Sequence, residues 1–432
     1  MLLVALVLSS FGPALAATAP PPKLPPLPRN EDEAKVLPYT LPDILTCEDG
    51  TIVKDVKTWR EKRRPEILRA FAANMYGRTP AMATKLRFEI TATDPHALGG
   101  LATRKEVTIR LFDDPDAPRI ALLLFIPNQA TKPVPAFLGL NYFGNQCVHP
   151  DPGITASTLW MRPVPAEGIV NNRATEATRG THARRWPLEL AMKRGYAVAT
   201  YYYGDLEPDH AEGWRSGLRG YLLRQAGREA PASDDWGALG VWGWGLSRAM
   251  DYLVTDPAID AKRVVLFGHS RHGKTALWAG AQDERFAIVI SNDSGEGGAS
   301  LARRNFGETI AISIRSSAFW YGGNYRNFVD QAHRLPTDQH MLIALAAPRP
   351  AYVASAEKDM GADPRGEFLA AFHAEPAYHL YGLRGVGVAE MPGVNQPVGQ
   401  TIGYHLRSGD HDILTYDWEQ SMNFADRHLA RR

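Results

Sequence analysis

Cysteine is almost absent from this chain: Cys47 and Cys147 are the only two in 432 residues. Two thiols are compatible with one disulfide in an oxidising compartment or with two free side chains, but not with a disulfide-built scaffold. No C-x-x-C pair and no H-E-x-x-H helix occurs, so a structural zinc site has no support and neither a metal nor a cofactor is expected. An excess of one charge is missing too. With 48 Lys and Arg against 47 Asp and Glu, the formal charge is +1, which gives no global attraction to nucleic acid or to an anionic membrane. Neither is expected as a partner, and a charged ligand must be recognised locally. Internal repeats are absent. What the chain does have is 44% hydrophobic content, enough for a large core.

The first residues, "MLLVALVLSSFGPALAA", form an apolar run that ends in Ala14-Leu15-Ala16, the small-x-small pattern of a signal-peptidase site. The run is too short to span a bilayer once the Pro13 break is counted. Residues 1–16 are therefore expected to be an export signal and the protein to be secreted or periplasmic. The Pro-rich "TAPPPKLPPLPRN" that follows makes 17–34 an extended linker, and 35–432 is expected to be a single domain, monomeric.

Beyond the linker, strand-like runs alternate with helix-like ones. "EVTIRLF", "RIALLLFIP", "VPAFLGLNYF" and "GYAVATYYYGD" are rich in β-branched and aromatic residues and end in turn chemistry. Leu239, Trp242, Leu246, Met250 and Leu253 recur at three- and four-residue steps, which predicts a helix over 234–253 begun by Asp234, although four glycines weaken it. The strands "RVVLFG", "AIVISND", "AYVASAEKD" and "IGYHLR" follow, each separated by a helical stretch. Strands spaced by helices of this length imply right-handed crossovers, a mostly parallel sheet and a three-layer α/β sandwich. Sites in such sheets lie beyond the C-terminal strand ends, which singles out Asn141, Asp205, Ser270, Asp293, Asp359 and His411.

Ser270 stands at the apex of "VVLFGHSRHGKTALWAG", a strand, a turn bounded by Gly268 and Gly273, and a helix. A serine hydroxyl is a poor nucleophile near neutral pH and needs a base within reach and an acid to fix that base's tautomer. A sharp strand-turn-helix elbow exposes such a serine at the positive end of a helix. The spacing G-x-S-x-x-G is one residue longer than the common elbow, and by itself it describes a helix cap equally well. The chain order adds more: His411, in "HLRSGDHDIL", follows the last strand and precedes the last helix, and carboxylates end both intervening strands. Ser, acid, His is the order of an α/β-hydrolase. Asp293 and Glu296 end the strand after the nucleophile helix, whereas Glu357 and Asp359 end the next, and either pair could serve His411. His269 and His272 read as loop supports.

The blocks "GHSRHGK", "SNDSGEGG", "NFGET", "LPTDQH", "APRP", "SAEKDMGADPRGEF" and "SGDHD", in this order, give the sequence a resemblance to the glucuronoyl esterases of carbohydrate esterase family 15, in its bacterial branch, from about residue 35 to the C-terminus. The resemblance implies an α/β-hydrolase that cleaves the ester between the glucuronic or 4-O-methyl-glucuronic acid of glucuronoxylan and a lignin alcohol. It implies Ser270 as nucleophile, His411 as base and Asp293 as the acid, with Asp359 the alternative used by other bacterial members. Arg271 matches an oxyanion residue, and Lys274 and Glu308 match residues that hold the uronic acid hydroxyls. A Trp that often lines the sugar pocket is Gly361 here, so that wall is open or is supplied by Trp320 or Tyr321.

The chemistry agrees with these implications. Ester hydrolysis places negative charge on the former carbonyl oxygen, and a fixed Arg beside the nucleophile stabilises it; loss of one such donor typically costs ~3 kcal/mol. Arg271 and Lys274 on the first turn of a helix are otherwise disfavoured by the positive helix end. Two further readings stand beside the uronoyl esterase: an esterase of the same fold acting on acetylated xylan or another small ester, and a non-catalytic polysaccharide-binding protein on a hydrolase scaffold. "GDLEPDH" clusters Asp205, Glu207, Asp209 and His210 and reads as a turn capping the next segment rather than a cation site. The stretch 147–185 reads as a long loop at the sheet's active edge.

Overall fold

Strands that are apolar on both faces must be covered on both faces, and the central strands here are of that kind. The computed structural model describes Pro25 and residues 27–82 and 84–429; the expected signal segment, 1–16, lies outside the described residues. The main sheet contains β1 (Arg87–Ala97), β2 (Ala102–Arg110), β3 (Arg119–Pro127), β4 (Val134–Asn141), β5 (Ala197–Tyr202), β6 (Ile259–His269), β7 (Ile288–Asn292), β8 (Ala351–Ala356), β9 (Val398–Gly399) and β10 (Ile402–Arg407). Every residue of β5, β7, β8 and β10 is buried. The strands at the two ends of the sheet differ from these: β1 is mostly exposed and β9 half-buried.

The strand order is β1-β2-β3-β5-β4-β6-β7-β8-β10-β9. From β5 to β10 through the middle of the sheet all pairings are parallel, while β1, β2 and β3 join as an antiparallel meander. Helices α1 (Leu188–Lys193), α2 (Ala238–Leu253), α3 (Arg271–Gln282), α4 (Gln339–Ala344), α5 (Pro364–His373) and α6 (Thr415–Leu429) cover the two faces. The two-residue period of a strand divides the core accordingly. In β6, Val264 and Leu266 pack with Trp242 and Leu246 of α2, whereas Val265 and Phe267 pack with Trp418 and Met422 of α6. This is the expected three-layer α/β sandwich.

One boundary differs from the sequence expectation. Helix α2 starts at Ala238 with Gly237 as its cap, not at Asp234. The backbone before it is committed elsewhere: Arg78 N donates to Asp234 O at 2.7 Å and Gly237 N to Tyr76 O at 2.9 Å. The glycines that weaken the helix by propensity admit close neighbours. A Cβ on Gly245 would lie 2.3 Å from both Leu206 Cδ1 and the Tyr201 hydroxyl.

Cys47 and Cys147 are both free and buried. The described end of the expected linker is docked on the sandwich: Gly307 N donates to Asn30 O at 2.7 Å, and Arg304 binds Glu33 at 2.5 Å. Among the described residues no helix is long and apolar enough to cross a membrane.

Candidate active site

The site forms where β6 turns into α3. Ser270 is held at φ 57°, ψ −129°, a region sparsely used by residues with a Cβ. The turn is tight enough to demand its glycine, since a Cβ on Gly268 would lie 2.0 Å from His272 O. The Ser270 amide donates to Asn292 O at 2.9 Å, which pins the elbow to β7. The hydroxyl is thereby presented above the sheet at the N-terminus of α3.

His411, 141 residues further along, reaches the same point. Its Nε2 lies 2.9 Å from Ser270 Oγ and its Nδ1 lies 2.5 Å from Asp359 Oδ2. The histidine side chain is 44% exposed and the Asp359 side chain 11%, so the base faces solvent while its carboxylate is sheltered.

Of the two carboxylates expected for His411, the structure bonds it to the alternative, Asp359, and not to Asp293. Asp293 is fully buried, its Oδ2 accepts from Arg407 Nη2 at 3.0 Å, and its Oδ1 has no partner among the described residues. It stands close by, within 4.8 Å of the ligand atoms of Asp359 and His411, but Asp359 makes the hydrogen bond. Burial, reinforced by Glu367, pushes the Asp293 pKa well up against the pull of Arg407. Glu296 is turned to Tyr325 and pushed up to about 8 by burial. Asp293, Asp359 and His411 are also the only grouping among the described residues whose potential metal-ligating atoms come this close, and two of them are hydrogen-bonded to each other.

Arg407, which sequence reasoning missed, builds the loop that carries His411. Its guanidinium donates to Asp417 at 2.9 Å, to Asp293 at 3.0 Å, to the carbonyls of Ser408 at 3.0 Å and Asp410 at 2.9 Å, and to that of Asp412. Only an arginine has enough forked donors for this set. The available signal was a lone charge in the otherwise apolar "IGYHLR", since a buried strand tolerates a cation only where partners await it.

Arg271 opens α3. Its Nη1 donates to Asp209 Oδ2, and its Cζ lies 5.0 Å from the Trp320 ring centroid and 5.5 Å from that of Tyr142. Burial works against its charge, but Asp209 and the phenols of Tyr203 and Tyr142 outweigh that, and its pKa moves up. Asp209 also accepts from Trp320 Nε1 at 2.7 Å and from the Tyr203 hydroxyl at 3.0 Å. The reading of this aspartate as a turn cap is therefore replaced by that of an anchor for Arg271 and Trp320. Its neighbours diverge to separate partners, Glu207 to Arg219 and Asp205 to the Ala121 amide.

Lys274 is buried, donates to Glu296 O and stands 3.6 Å from Glu308 Oε2. Glu308 N in turn donates to Gly361 O at 2.8 Å, so Lys274, Glu308 and residue 361 share one corner. In that corner a Cβ on Gly361 would meet Arg29 Nη1 at 3.0 Å and Asp359 Oδ1 at 3.5 Å. The space beside Gly361 is thus occupied by a guanidinium from the docked N-terminal segment. Trp320 instead lies against Arg271 and Lys274, and Tyr321 is bonded to Ser313 at 2.9 Å. His269 bonds Asn292 at 2.6 Å and packs against His411, while His272 stacks on Tyr142.

Asp205 yields a pH prediction. Burial, against one amide donor from Ala121, raises its pKa to about 8, whereas in an unfolded chain it ionises near ~4. The native state holds this proton more tightly, so the associated stability is complete below ~4, declines as pH rises and is gone above about 8. One proton limits the slope to ~1.4 kcal/mol per pH unit. Asp205→Asn should therefore show a shallower loss of Tm than the wild type between those two limits, measured by thermal unfolding.

A family profile described as glucuronyl esterase, fungi, matches residues 190–382. The chain is 46% identical over 401 residues to carbohydrate esterase MZ0003 from an unknown prokaryotic organism, covering 93% of this chain and 92% of that protein. A promiscuous esterase of carbohydrate esterase family 15 from a marine bacterial metagenome superposes with TM-score 0.88 at 46% identity, over 93% of this chain and 100% of the other. A glucuronoyl esterase from Solibacter usitatus superposes with TM-score 0.86 at 47% identity, over 91% and 99% respectively.

Proposed function

The chain belongs to the glucuronoyl esterases of carbohydrate esterase family 15 and is a carboxylic ester hydrolase; from that premise we propose that it is a secreted or periplasmic monomer that cleaves the ester between a glucuronic or 4-O-methyl-glucuronic acid side group of glucuronoxylan and a lignin alcohol. The observation that carries the reading is the imidazole of His411 bridging Ser270 Oγ at 2.9 Å and Asp359 at 2.5 Å.

In this mechanism His411 Nε2 takes the Ser270 proton as Oγ bonds to the ester carbonyl carbon. The tetrahedral oxyanion forms at the start of α3, where the Arg271 amide has no acceptor within the helix and the Arg271 guanidinium adds a fixed positive charge. Collapse breaks the bond to the alcohol, which leaves with the proton from His411. Water, deprotonated by His411, then attacks the acyl-enzyme, and its collapse releases the uronate and restores Ser270. Asp359 keeps the proton of His411 on Nδ1, so that Nε2 is the basic nitrogen, and stabilises the imidazolium. Lys274 and Glu308 orient the sugar through its hydroxyls, and Trp320, fixed by Asp209, forms a wall.

The test is a comparison of benzyl glucuronate with nitrophenyl acetate. The wild type should prefer the uronate ester, and Glu308→Gln should raise KM for it by about tenfold, the value of one lost polar contact to a bound hydroxyl, with nitrophenyl acetate hydrolysis unchanged. Preference for the acetyl ester would instead support the small-ester reading. That second reading draws its support from Gly361, beside which the Arg29 guanidinium rather than an aromatic ring closes the sugar corner.

A further inference from the structure

A cleft of about 940 Å³ shares Arg271 and Trp320 with the ester site, and Ser270 is not among its lining residues. Its charges do not balance. The carboxylates that line it are all neutralised: Asp209 by Arg271, Glu212 by Arg215 at 2.5 Å and Asp235 by Arg228 at 2.6 Å. Three lining arginines, Arg162, Arg315 and Arg326, are exposed and have neither a carboxylate nor a hydrogen-bond partner for their guanidinium groups among the described residues.

These three come from separate elements. Arg162 belongs to the long loop 147–185, Arg315 to the helix Ile310–Ser317 and Arg326 to the turn Gly323–Phe328. Convergence of unpaired cations from three places in the fold costs electrostatic energy in the free protein and is recovered when an anion binds. Trp214 and Trp320 line the same cleft, each with a cation against its ring: Arg215 lies 4.3 Å from the Trp214 centroid and Arg271 5.0 Å from that of Trp320.

The proposed reaction leaves these cations unused. An esterified uronic acid is neutral at its carboxyl, and the charge that develops during hydrolysis faces Arg271. We propose that the cleft binds a free uronate carboxylate carried elsewhere on the same carbohydrate chain as the ester, so that the preferred substrate is an acidic oligosaccharide or polysaccharide rather than an isolated ester. This rests on the uronoyl esterase reading and deepens it. It has a kinetic consequence, because each turnover leaves a new free carboxylate on the chain, and the remaining esters of that chain become better substrates.

The experiment uses ester-free xylo-oligosaccharides with and without glucuronate side groups, titrated into Ser270→Ala protein by calorimetry. The acidic oligosaccharide should bind about tenfold more tightly than the neutral one at low salt, the sum of three exposed ion pairs, and the difference should vanish at high salt. Adding Arg162→Gln, Arg315→Gln and Arg326→Gln should abolish the difference, while the same three changes in an otherwise wild-type protein leave kcat/KM for benzyl glucuronate unaltered. Equal binding of the two oligosaccharides, or acidic binding that survives the triple substitution, overturns the proposal. Equally tight binding of an oligonucleotide of the same charge overturns it too, because the cleft would then be an unselective polyanion site. Wild-type hydrolysis of benzyl glucuronate reads the esterase assignment separately, since that small ester carries no second carboxylate.

Discussion

Ser270→Ala should lower kcat for benzyl glucuronate by on the order of 100,000-fold, with KM nearly unchanged. No other hydroxyl is bonded to His411 Nε2 among the described residues, and the left-handed backbone that presents Ser270 is supported by glycines at 268 and 273 rather than by the serine side chain. Removing Oγ therefore removes the nucleophile and little of the fold. The residual rate expected from oxyanion stabilisation and binding alone is far below that of the intact triad. A variant that retained a tenth of the wild-type rate would place the acyl-enzyme elsewhere and remove the mechanism proposed above.

The second large effect separates two aspartates that sequence reasoning ranked the other way. Asp359→Asn should reduce kcat by about 10,000-fold, because an amide at that position cannot stabilise the imidazolium and permits the wrong tautomer of His411. Asp293→Asn should change kcat by less than about tenfold, since an amide oxygen can still accept from Arg407 and neither oxygen of Asp293 is bonded to His411. Steady-state kinetics of both variants decide the matter. Comparable losses in the two would mean that the carboxylates act as a coupled pair, which their approach within 4.8 Å makes the specific alternative to exclude.

Much of the fold was legible because burial imposes its own pattern. "RIALLLFIP" and "IGYHLR" match β3 and β10 residue for residue, and "AYVASAEKD" contains β8. Edge strand β1 was not anticipated, and with most of its residues in solvent it carries no run of apolar residues to betray it. The early start given to α2 has a related cause: Asp234 is a good capping residue, but its carbonyl is taken by the Arg78 amide from a segment 156 residues away. Propensity reads neighbours along the chain, and this competitor is a neighbour only in space.

The site divides in the same way. The nucleophile and the base could be listed from order and spacing, because each follows a strand end, whereas the roles of Arg271, Lys274 and Glu308 were implied by the resemblance to the family. The partner of each could not. Asp209 looked like a turn residue until Arg271 and Trp320 were found on its two oxygens. Arg29 lay in a Pro-rich segment expected to be a linker, and it fills the space beside Gly361.

By itself, then, the sequence determined the layers of the sandwich, the elbow that exposes Ser270 and the identity of the groups available for acyl transfer. Only the tertiary structure decided which carboxylate His411 takes, what fixes Arg271 and where unpaired cations gather. Strand periodicity and turn chemistry are local and survive in one dimension, whereas a hydrogen bond between residues 52 or 62 positions apart depends on distance and direction in three.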